Sequence, residues 1–193
     1  EASTYVKSIG SSQNVYYGVG VHAKPTNKGR GFASDIVGIP TLWLDLDIAD
    51  DAHQKKNLPG TVDEVMEVLD NLPWAPSLVI HSGHGLQAYY KFREVLEFRS
   101  DADRKEAYLL VQKFQSYVRE IFKTKGWTLD STHDLARVMR VPGSTNIKSA
   151  QHVPVTITFV DEYKAYNVSD FDMLPDVAET KDEVVTQVSV TFD

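Results

Sequence analysis

Residues 42–48, Leu-Trp-Leu-Asp-Leu-Asp-Ile, alternate strictly between two kinds of side chain. Alternation at period two is typical of a half-buried β-strand, with the aliphatic residues on one face and Trp43, Asp45 and Asp47 on the other. One pleat repeat places the two aspartates about 6–7 Å apart at Cα. Because Asp is a poor strand former, the pair indicates a role beyond folding, and its oxygens can converge on divalent cations. The alternatives are a solvated strand face and a calcium-type structural site.

The rest of the composition limits the classes of protein. A chain of 193 residues suits one domain with a small appendage. It has no cysteine, which excludes disulfides, thiolate zinc sites and iron–sulfur clusters. No apolar run approaches the roughly 18 residues of a membrane span, and no signal peptide is visible, so we expect an intracellular, cytoplasmic protein. The chain opens at Glu1 rather than Met, as expected of a domain cut from a longer protein with other domains.

Charge is distributed unevenly along the chain. The net charge of −7 argues against a simple nucleic-acid-binding patch. However, seven acids and one base lie between Asp170 and the end, so the remaining chain is close to neutral and contains local basic clusters. We therefore predict an N-terminal extension over 1–13, a catalytic domain over 14–175, and an acidic tail or linker over 176–193.

The pattern of elements indicates an α+β domain with a mixed or antiparallel sheet core flanked by helices. Helical periodicity predicts a helix over 61–72, with Thr61 and Glu64 as a capping box, and a long helix over 101–125 that ends at Gly126. One or two helical turns are predicted over 134–139 and a short helix over 168–174. The predicted strands are 15–21, the run with the two aspartates, 78–82, 86–92 and 153–160, and a basic, glycine-containing loop covers 24–38.

A second polar segment, residues 81–87, closes a predicted strand beside Gly83 and Gly85. Glycines let a ligand or another backbone approach closely, and a histidine at such a turn can donate to a phosphate. Ser82 and His84 are therefore candidate phosphate contacts, although a plain polar hairpin turn explains this segment alone at least as well. Zinc binding through the two histidines is not expected, since no third soft ligand is nearby.

A third segment, residues 129–148, is rich in acids and bases. Asp130 follows an apolar residue and suits the end of a short extended stretch, whereas Asp134 suits the N-cap of a following turn. Arg137 and Arg140 are three residues apart and would share a face of a helix. With Lys148 they can recognise a polyphosphate, or simply form a solvated basic face.

Taken together in this order, the segments resemble the archaeo-eukaryotic primase superfamily. Leu44-Asp45-Leu46-Asp47 is similar to its hDhD motif, Ser82-Gly83-His84 to its S-x-H motif, and Leu129-Asp130 to its hD motif. The stretch 137–144 resembles the R-x-x-R-h-P-G-[ST] segment that follows. The sequences Trp-Leu-Asp-Leu-Asp and Pro-Gly-Ser-Thr-Asn-x-Lys are similar to those in primase domains of plasmid replication proteins and in primase-polymerases of mobile elements and CRISPR loci. The resemblance spans roughly residues 14–160.

This resemblance implies an RRM-like catalytic fold and DNA-directed primase/polymerase activity on NTPs or dNTPs, with DNA template and primer as partners. It implies that Asp45, Asp47 and Asp130 hold two Mg²⁺ or Mn²⁺ ions, with Asp134 as the alternative third ligand. Ser82, His84, Arg137, Arg140 and Lys148 would bind the nucleotide. No zinc is expected, because the chain lacks the cysteines of the zinc knuckle in cellular archaeal primases; this departure bears on de novo priming more than on polymerisation.

Further candidates lie near the start of the chain. Tyr16, Tyr17 and Arg30 could gate the sugar or contact the template, and the basic loop over 24–38 would make binding salt-dependent. Two other functions stay open. One is a metal-dependent nuclease or strand-nicking initiator with a tyrosine nucleophile, for which the spacing of His81 and His84 is unsuitable. The other is a non-catalytic nucleotide- or nucleic-acid-binding module.

Overall fold

A computed structural model describes residues 2–10, 12–26, 29–49 and 57–177. The strands are β1 (Tyr16–Gly18), β2 (Val21–His22), β3 (Ile36–Asp47), β4 (Leu78–His81), β5 (Gly85–Glu97), β6 (Val138–Arg140), β7 (Thr145–Asn146), β8 (Val153–Pro154) and β9 (Thr156–Val160). The helices are α1 (Ala2–Ile9), α2 (Val62–Asp70) and α3 (Asp101–Thr124), with 3₁₀ turns at Ala33–Asp35 and Val168–Phe171. Within this part of the chain, no helix is long and apolar enough to cross a membrane.

The core is a five-stranded sheet in the order β2-β3-β5-β4-β9, and β1-β6 and β7-β8 form two small ribbons. All the paired strands are antiparallel. This confirms the predicted α+β class and selects the antiparallel alternative for the sheet. The two longest strands, β3 and β5, lie side by side at its centre.

Helix α3 covers one face of the sheet. Leu42, Leu44 and Leu46 lie on this face and are at most 1% exposed. Tyr90, the partner of Leu42 on β5, packs edge-on against Phe114 of α3, with ring centroids 4.8 Å apart. The opposite face carries Trp43 and the two aspartates, as the alternation predicted.

Local sequence signals mark the starts of helices α2 and α3. The Thr61 hydroxyl accepts from the Glu64 amide at 3.2 Å, while the Glu64 carboxylate accepts from the Thr61 amide at 3.1 Å, which is the predicted capping box. Helix α3 starts after Ser100, whose hydroxyl caps the Asp103 amide. It ends just before Gly126, which adopts φ +78°.

The helical turns predicted over 134–139 are wrong. Only a turn at 134–137 forms, closed by the Arg137 amide and the Asp134 carbonyl, and strand β6 follows it. Pairing with β1, over a hundred residues earlier in the chain, overrides the helical spacing.

Three other predicted elements are shorter or divided. The strand predicted over 15–21 divides into β1, which pairs with β6, and β2, which pairs with β3. The strand predicted over 153–160 divides at Val155, whose amide donates to Ser144. The helix predicted over 168–174 is a 3₁₀ turn over Val168–Phe171.

The two ends of the described chain both contact the body. The Gly10 carbonyl, just after α1, accepts from the Thr145 amide at 2.7 Å. Near the other end, Asp176 pairs with Lys113 of α3 at 2.5 Å. Most of the predicted acidic tail, residues 178–193, lies outside the described residues.

Candidate active site

Asp45 and Asp47 lie at the C-terminal end of β3, on the face opposite α3. Both are partly buried between fully buried aliphatic neighbours. In the register with β5, Asp45 is opposite Gln87 and Asp47 is opposite Gly85. The central pair of strands therefore fixes the positions of both carboxylates.

The turn Ser82-Gly83-His84 joins β4 to β5 directly beside Asp47. Its backbone is anchored by the Ser82 amide, which donates to the Gly85 carbonyl at 2.8 Å, and by the His84 carbonyl, which accepts from Ile48 at 3.2 Å. The Ser82 hydroxyl also donates to the Gly85 carbonyl. The structure thus brings the predicted S-x-H residues to the same sheet edge as the two aspartates, and Ser82 also stabilises the turn.

Residues of β7 and of the segment just after it brace this turn. The Asn146 amide group donates to the Ser82 carbonyl at 2.8 Å, and the Ser149 hydroxyl lies 3.3 Å from Nε2 of His84. Between them, Lys148 donates its backbone N–H to Asn146 and leaves its side chain exposed. Lys148 is therefore placed beside the turn, with its side chain available to solvent.

Arg137 contacts the aspartate pair directly. Its Nη2 lies 2.5 Å from Oδ2 of Asp45, and both side chains are about one-quarter exposed, at 27% and 25%. Its Nε is buried and has no hydrogen-bond partner among the described residues. Arg137 thus neutralises Asp45 and keeps a further, buried N–H donor without a partner in the described part of the chain.

Arg140 occupies a different place from the one predicted. Arg140 is in strand β6 and Arg137 lies just before that strand, so the two arginines do not share a helical face. Arg140 is 7% exposed, donates to the Asn14 side chain at 2.7 Å and stacks on the ring of Tyr16 at 4.9 Å. Burial lowers the pKa of Arg140, while Tyr16 and Asp45 oppose that shift.

The segment that carries Asp130 is fixed against β3. The indole N–H of Trp43 donates to the Thr132 carbonyl at 2.9 Å, and the Thr132 amide donates to the Gln115 side chain at 3.0 Å. His133 is held between the hydroxyls of Ser131, at 2.6 Å, and Tyr108, at 2.8 Å. Asp130 itself is exposed.

Asp134, the alternative third acid, forms a salt bridge with Arg30 at 2.9 Å. Both side chains are well exposed, at 40% for Asp134 and 53% for Arg30. The bridge ties the basic loop to the turn that precedes Arg137. Arg30 is therefore close to the candidate site, although its present contact is an acid.

A cation fits part of this donor set. Mg²⁺ commonly takes one or two carboxylates together with substrate phosphates, and Asp45 and Asp47 on one strand face match that demand. Within the described ranges, no three His, Asp or Glu side chains form a group that could hold a metal ion by themselves. The residues therefore suit a cation that arrives with a phosphate-bearing ligand.

The two candidate tyrosines differ sharply. Tyr17 packs against Tyr89 with ring centroids 6.3 Å apart, and burial raises its pKa to about 12, partly offset by a hydrogen bond with Tyr89. Tyr16 is 46% exposed and stacks on Arg140. Neither ring is placed as an unengaged nucleophile.

Two residues of this face were missed from the sequence. Gln87 is opposite Asp45 and only 3% exposed, and it accepts a hydrogen bond from Tyr89 at 3.3 Å. Burial raises the pKa of Tyr89, with Tyr17 and Asp45 adding to the shift. A glutamine inside an apolar strand, two residues after Gly85, was the available signal.

The antiparallel sheet carries the aspartate pair on a central strand, with the Ser82-Gly83-His84 turn beside it. Among solved structures, the chain is similar to the AEP domain of the primase-polymerase (PrimPol) of cyanophage S-2L. The TM-score is 0.56 with 18% sequence identity, over 84% of this chain and 70% of that one. No family model and no curated protein matches the sequence. At this identity the likeness shows the fold.

Proposed function

We propose that this chain is the catalytic domain of a DNA primase-polymerase, which transfers nucleotides from NTPs or dNTPs to a primer on a DNA template. The observation that carries the proposal is the convergence of Asp45, Asp47, the 82–84 turn and Arg137 at one sheet edge. This convergence occurs in a chain whose fold is similar to that of a phage primase-polymerase domain. The single residues are unspecific, but their placement around one point fits phosphoryl transfer.

In this reaction the 3′-oxygen of the primer attacks the α-phosphorus of the nucleotide. The bond from that phosphorus to the bridging oxygen breaks, pyrophosphate leaves, and the hydroxyl proton passes to water. Two bound Mg²⁺ or Mn²⁺ ions would supply activation of the 3′-oxygen and charge compensation for the pyrophosphate. Catalysis is then mostly positioning and electrostatics.

The chain's own residues divide these tasks. Asp45 and Asp47 provide the carboxylate oxygens on a rigid strand, and Asp130 is the proposed third ligand. Arg137 has a buried Nε–H without a partner in the described part, which suits it to a phosphate oxygen. His84 and Lys148, both at the turn, are the proposed contacts to the triphosphate.

Arg140 and Ser82 contribute less directly. The contacts of Arg140 with Asn14 and Tyr16 make it a residue that holds β1 against β6, and its positive charge still acts on Asp45. Ser82 fixes the turn that presents His84. We propose Tyr16 and Arg30 for the template side, because both are exposed at this edge.

The test is primer extension with labelled dNTPs and NTPs in Mg²⁺ or Mn²⁺. The Asp45→Ala, Asp47→Ala double variant is expected to lose activity by at least about 100-fold, the scale of removing preorganised charge from a transition state. The matched control is Glu94→Ala, Glu97→Ala, which removes the same charge from the other end of β5. Full activity in the Asp45/Asp47 variant would contradict the proposal.

The same assay separates the two candidate third ligands. Asp130→Asn is expected to abolish extension, whereas Asp134→Asn should lower it only several-fold, because Asp134 already pairs with Arg30 in solvent. The reverse order of effects would assign the third ligand to Asp134.

The readouts also separate the alternative functions. Cleavage of the labelled strand, lost in the Asp45/Asp47 variant, would indicate a nuclease, and a covalent tyrosine–DNA adduct would indicate a nicking initiator. Nucleotide binding without any dependence on divalent ions would indicate a non-catalytic module.

A further inference from the structure

Phe32 is an exposed aromatic side chain in the basic loop. It is 76% exposed, the most exposed phenylalanine of the described residues, whereas Phe114 and Phe122 of α3 are at most 1% exposed. A ring this exposed has an accessible face that can stack on a planar ligand such as a nucleic-acid base.

The backbone under this ring is fixed. The Phe32 amide donates to the Asp35 carboxylate at 2.8 Å, and the Asp35 amide donates back to the Phe32 carbonyl at 2.9 Å. The Asp35 carbonyl in turn accepts from Ala23 at 3.1 Å. Gly31, at φ +71°, has His22 and Thr26 against the position of an absent Cβ. The ring is thus presented outward from a braced loop.

The loop that carries the ring also carries two exposed cations, Lys24 and Arg30, and one acid, Asp35, which accepts from the Phe32 amide. The bridge of Arg30 to Asp134 is solvent-exposed, so it contributes little and can exchange for a phosphate. An aromatic ring flanked by cations is the usual arrangement for single-stranded nucleic acid.

The loop also adjoins the aspartate site. Arg30 contacts Asp134, the Asp134 carbonyl accepts from the Arg137 amide, and Arg137 contacts Asp45. Gly20, where the chain enters this region, packs so closely on the Leu135 carbonyl that no side chain would fit. A strand bound along the loop would therefore lie next to the candidate site.

We propose that Phe32 stacks on a base of the single-stranded template, with Lys24 and Arg30 on the adjoining phosphates. This inference rests on the proposed polymerase function only in calling the strand a template. The physical claim is that Phe32 stacks on a base next to the candidate site. Every base has a π-face, so the contact is tolerant of sequence, as a template contact must be.

The first experiment measures binding of a labelled oligothymidylate of about 20 nucleotides by fluorescence anisotropy in EDTA. Phe32→Ala is expected to weaken binding about 5- to 150-fold, the range for loss of one stacked base. Phe32→Trp should retain affinity. The matched control is Phe159→Ala, which removes the 40% exposed ring of edge strand β9 and should leave affinity unchanged.

A second probe tests stacking rather than bulk. An oligonucleotide in which abasic sites replace the bases should bind the wild-type chain more weakly than the normal strand does. The Phe32→Ala variant should show a smaller difference between the two strands. Lys24→Ala should instead reduce the salt dependence of binding by about one phosphate contact. Equal affinity of Phe32→Ala and wild type for the normal strand would overturn the inference.

The design separates this inference from the proposed function. Binding in EDTA needs no catalysis, so a Phe32 effect without any primer extension supports stacking and contradicts only the polymerase. Normal extension with no Phe32 effect on binding contradicts only the stacking. Phe32 is exposed, and its substitution is not expected to change the thermal unfolding midpoint, which circular dichroism checks.

Discussion

The contact between Arg137 and Asp45 lowers the net negative charge of the candidate site. At 2.5 Å, and with both groups about one-quarter exposed, the pair offsets part of the repulsion that two aspartates on one face would otherwise impose. Under the proposed function, Arg137 would compete with a divalent ion for Asp45 and would cooperate with that ion in holding a nucleotide.

We predict that Arg137→Gln tightens Mn²⁺ binding about 5-fold, because a competing charge worth about 1 kcal/mol is removed from Asp45. Nucleotide binding should weaken about 10-fold or more, the scale of a lost charged hydrogen bond. Isothermal titration calorimetry with Mn²⁺ and with nucleotide measures both. Arg99→Gln, an exposed arginine beyond the far end of β5, is the control; unchanged affinities in Arg137→Gln would refute the competition.

Tyr17 gives a prediction about pH. Its pKa in the folded chain is about 12, above the ordinary value of 10, so its protonated form contributes stability fully below pH 10. That contribution is lost as the pH rises through about 12. Between pH 9 and 12, the thermal unfolding midpoint of Tyr17→Phe should fall less than that of the wild type. Parallel curves for the two proteins would show that Tyr17 is not buried as described.

Side-chain chemistry and spacing singled out several residues that the structure places close together. The strand ends bring together Asp45, Asp47, Ser82 and His84. Strand alternation and the glycine-containing turn depend on local sequence, and the sheet keeps both. Gln87 was missed because its role depends on the β3–β5 register, which local sequence does not reveal.

At the level of elements, the junction of β3 and β5 requires Gly85. A Cβ at this position would overlap the Leu46 carbonyl and lie 3.1 Å from the Cα of Asp47. The strands come this close where the two aspartates end β3. The absence of a side chain at Gly85 is therefore a condition for the position of Asp47.

We predict that Gly85→Ala destabilises the fold by roughly 1–3 kcal/mol, the usual cost of overpacking, and lowers extension activity more than that loss explains. Urea unfolding and primer extension measure the two effects. Gly60→Ala is the matched control, since its Cβ would meet only the flexible Glu64 carboxylate at 3.4 Å. Wild-type stability in Gly85→Ala would contradict the close approach.

Strand β6 shows where local reasoning fails. The spacing of Arg137 and Arg140 satisfies a helical face, but β1 pairs Tyr16 with Arg140 and Gly18 with Val138. This partner is distant in sequence, so no window around 134–140 contains the information. The consequence is functional, because the strand turns Arg137 towards Asp45 and Arg140 towards Asn14.

Over the whole molecule, the charge is divided between a nearly neutral chain before Asp170 and an acidic end from Asp170 onwards. The site and the basic loop lie within the nearly neutral part, and residues 178–193 contain four acids and one lysine. Acidic residues in the same chain lower the local attraction for a polyanion, and salt screens the effect within about 10 Å at 0.1 M.

We predict that truncation after Val177 tightens binding of single-stranded DNA at low salt, with the difference vanishing at high salt. Anisotropy titrations over a salt series measure it. The full chain with Glu179→Gln, Asp182→Asn and Glu183→Gln is the control, because it removes charge without changing length. If truncation tightens binding and this variant does not, charge is not the cause.

The Arg137–Asp45 contact has a last consequence, for how the domain behaves when divalent ions are withdrawn. Small metallo-domains unfold under chelation because the metal supplies their folding free energy. Here the sheet packs on an apolar core, and Arg137 already pairs with the Asp45 carboxylate. Chelation should therefore act as a reversible off-switch, with an unchanged melting curve in EDTA and full recovery of activity when the ion is restored.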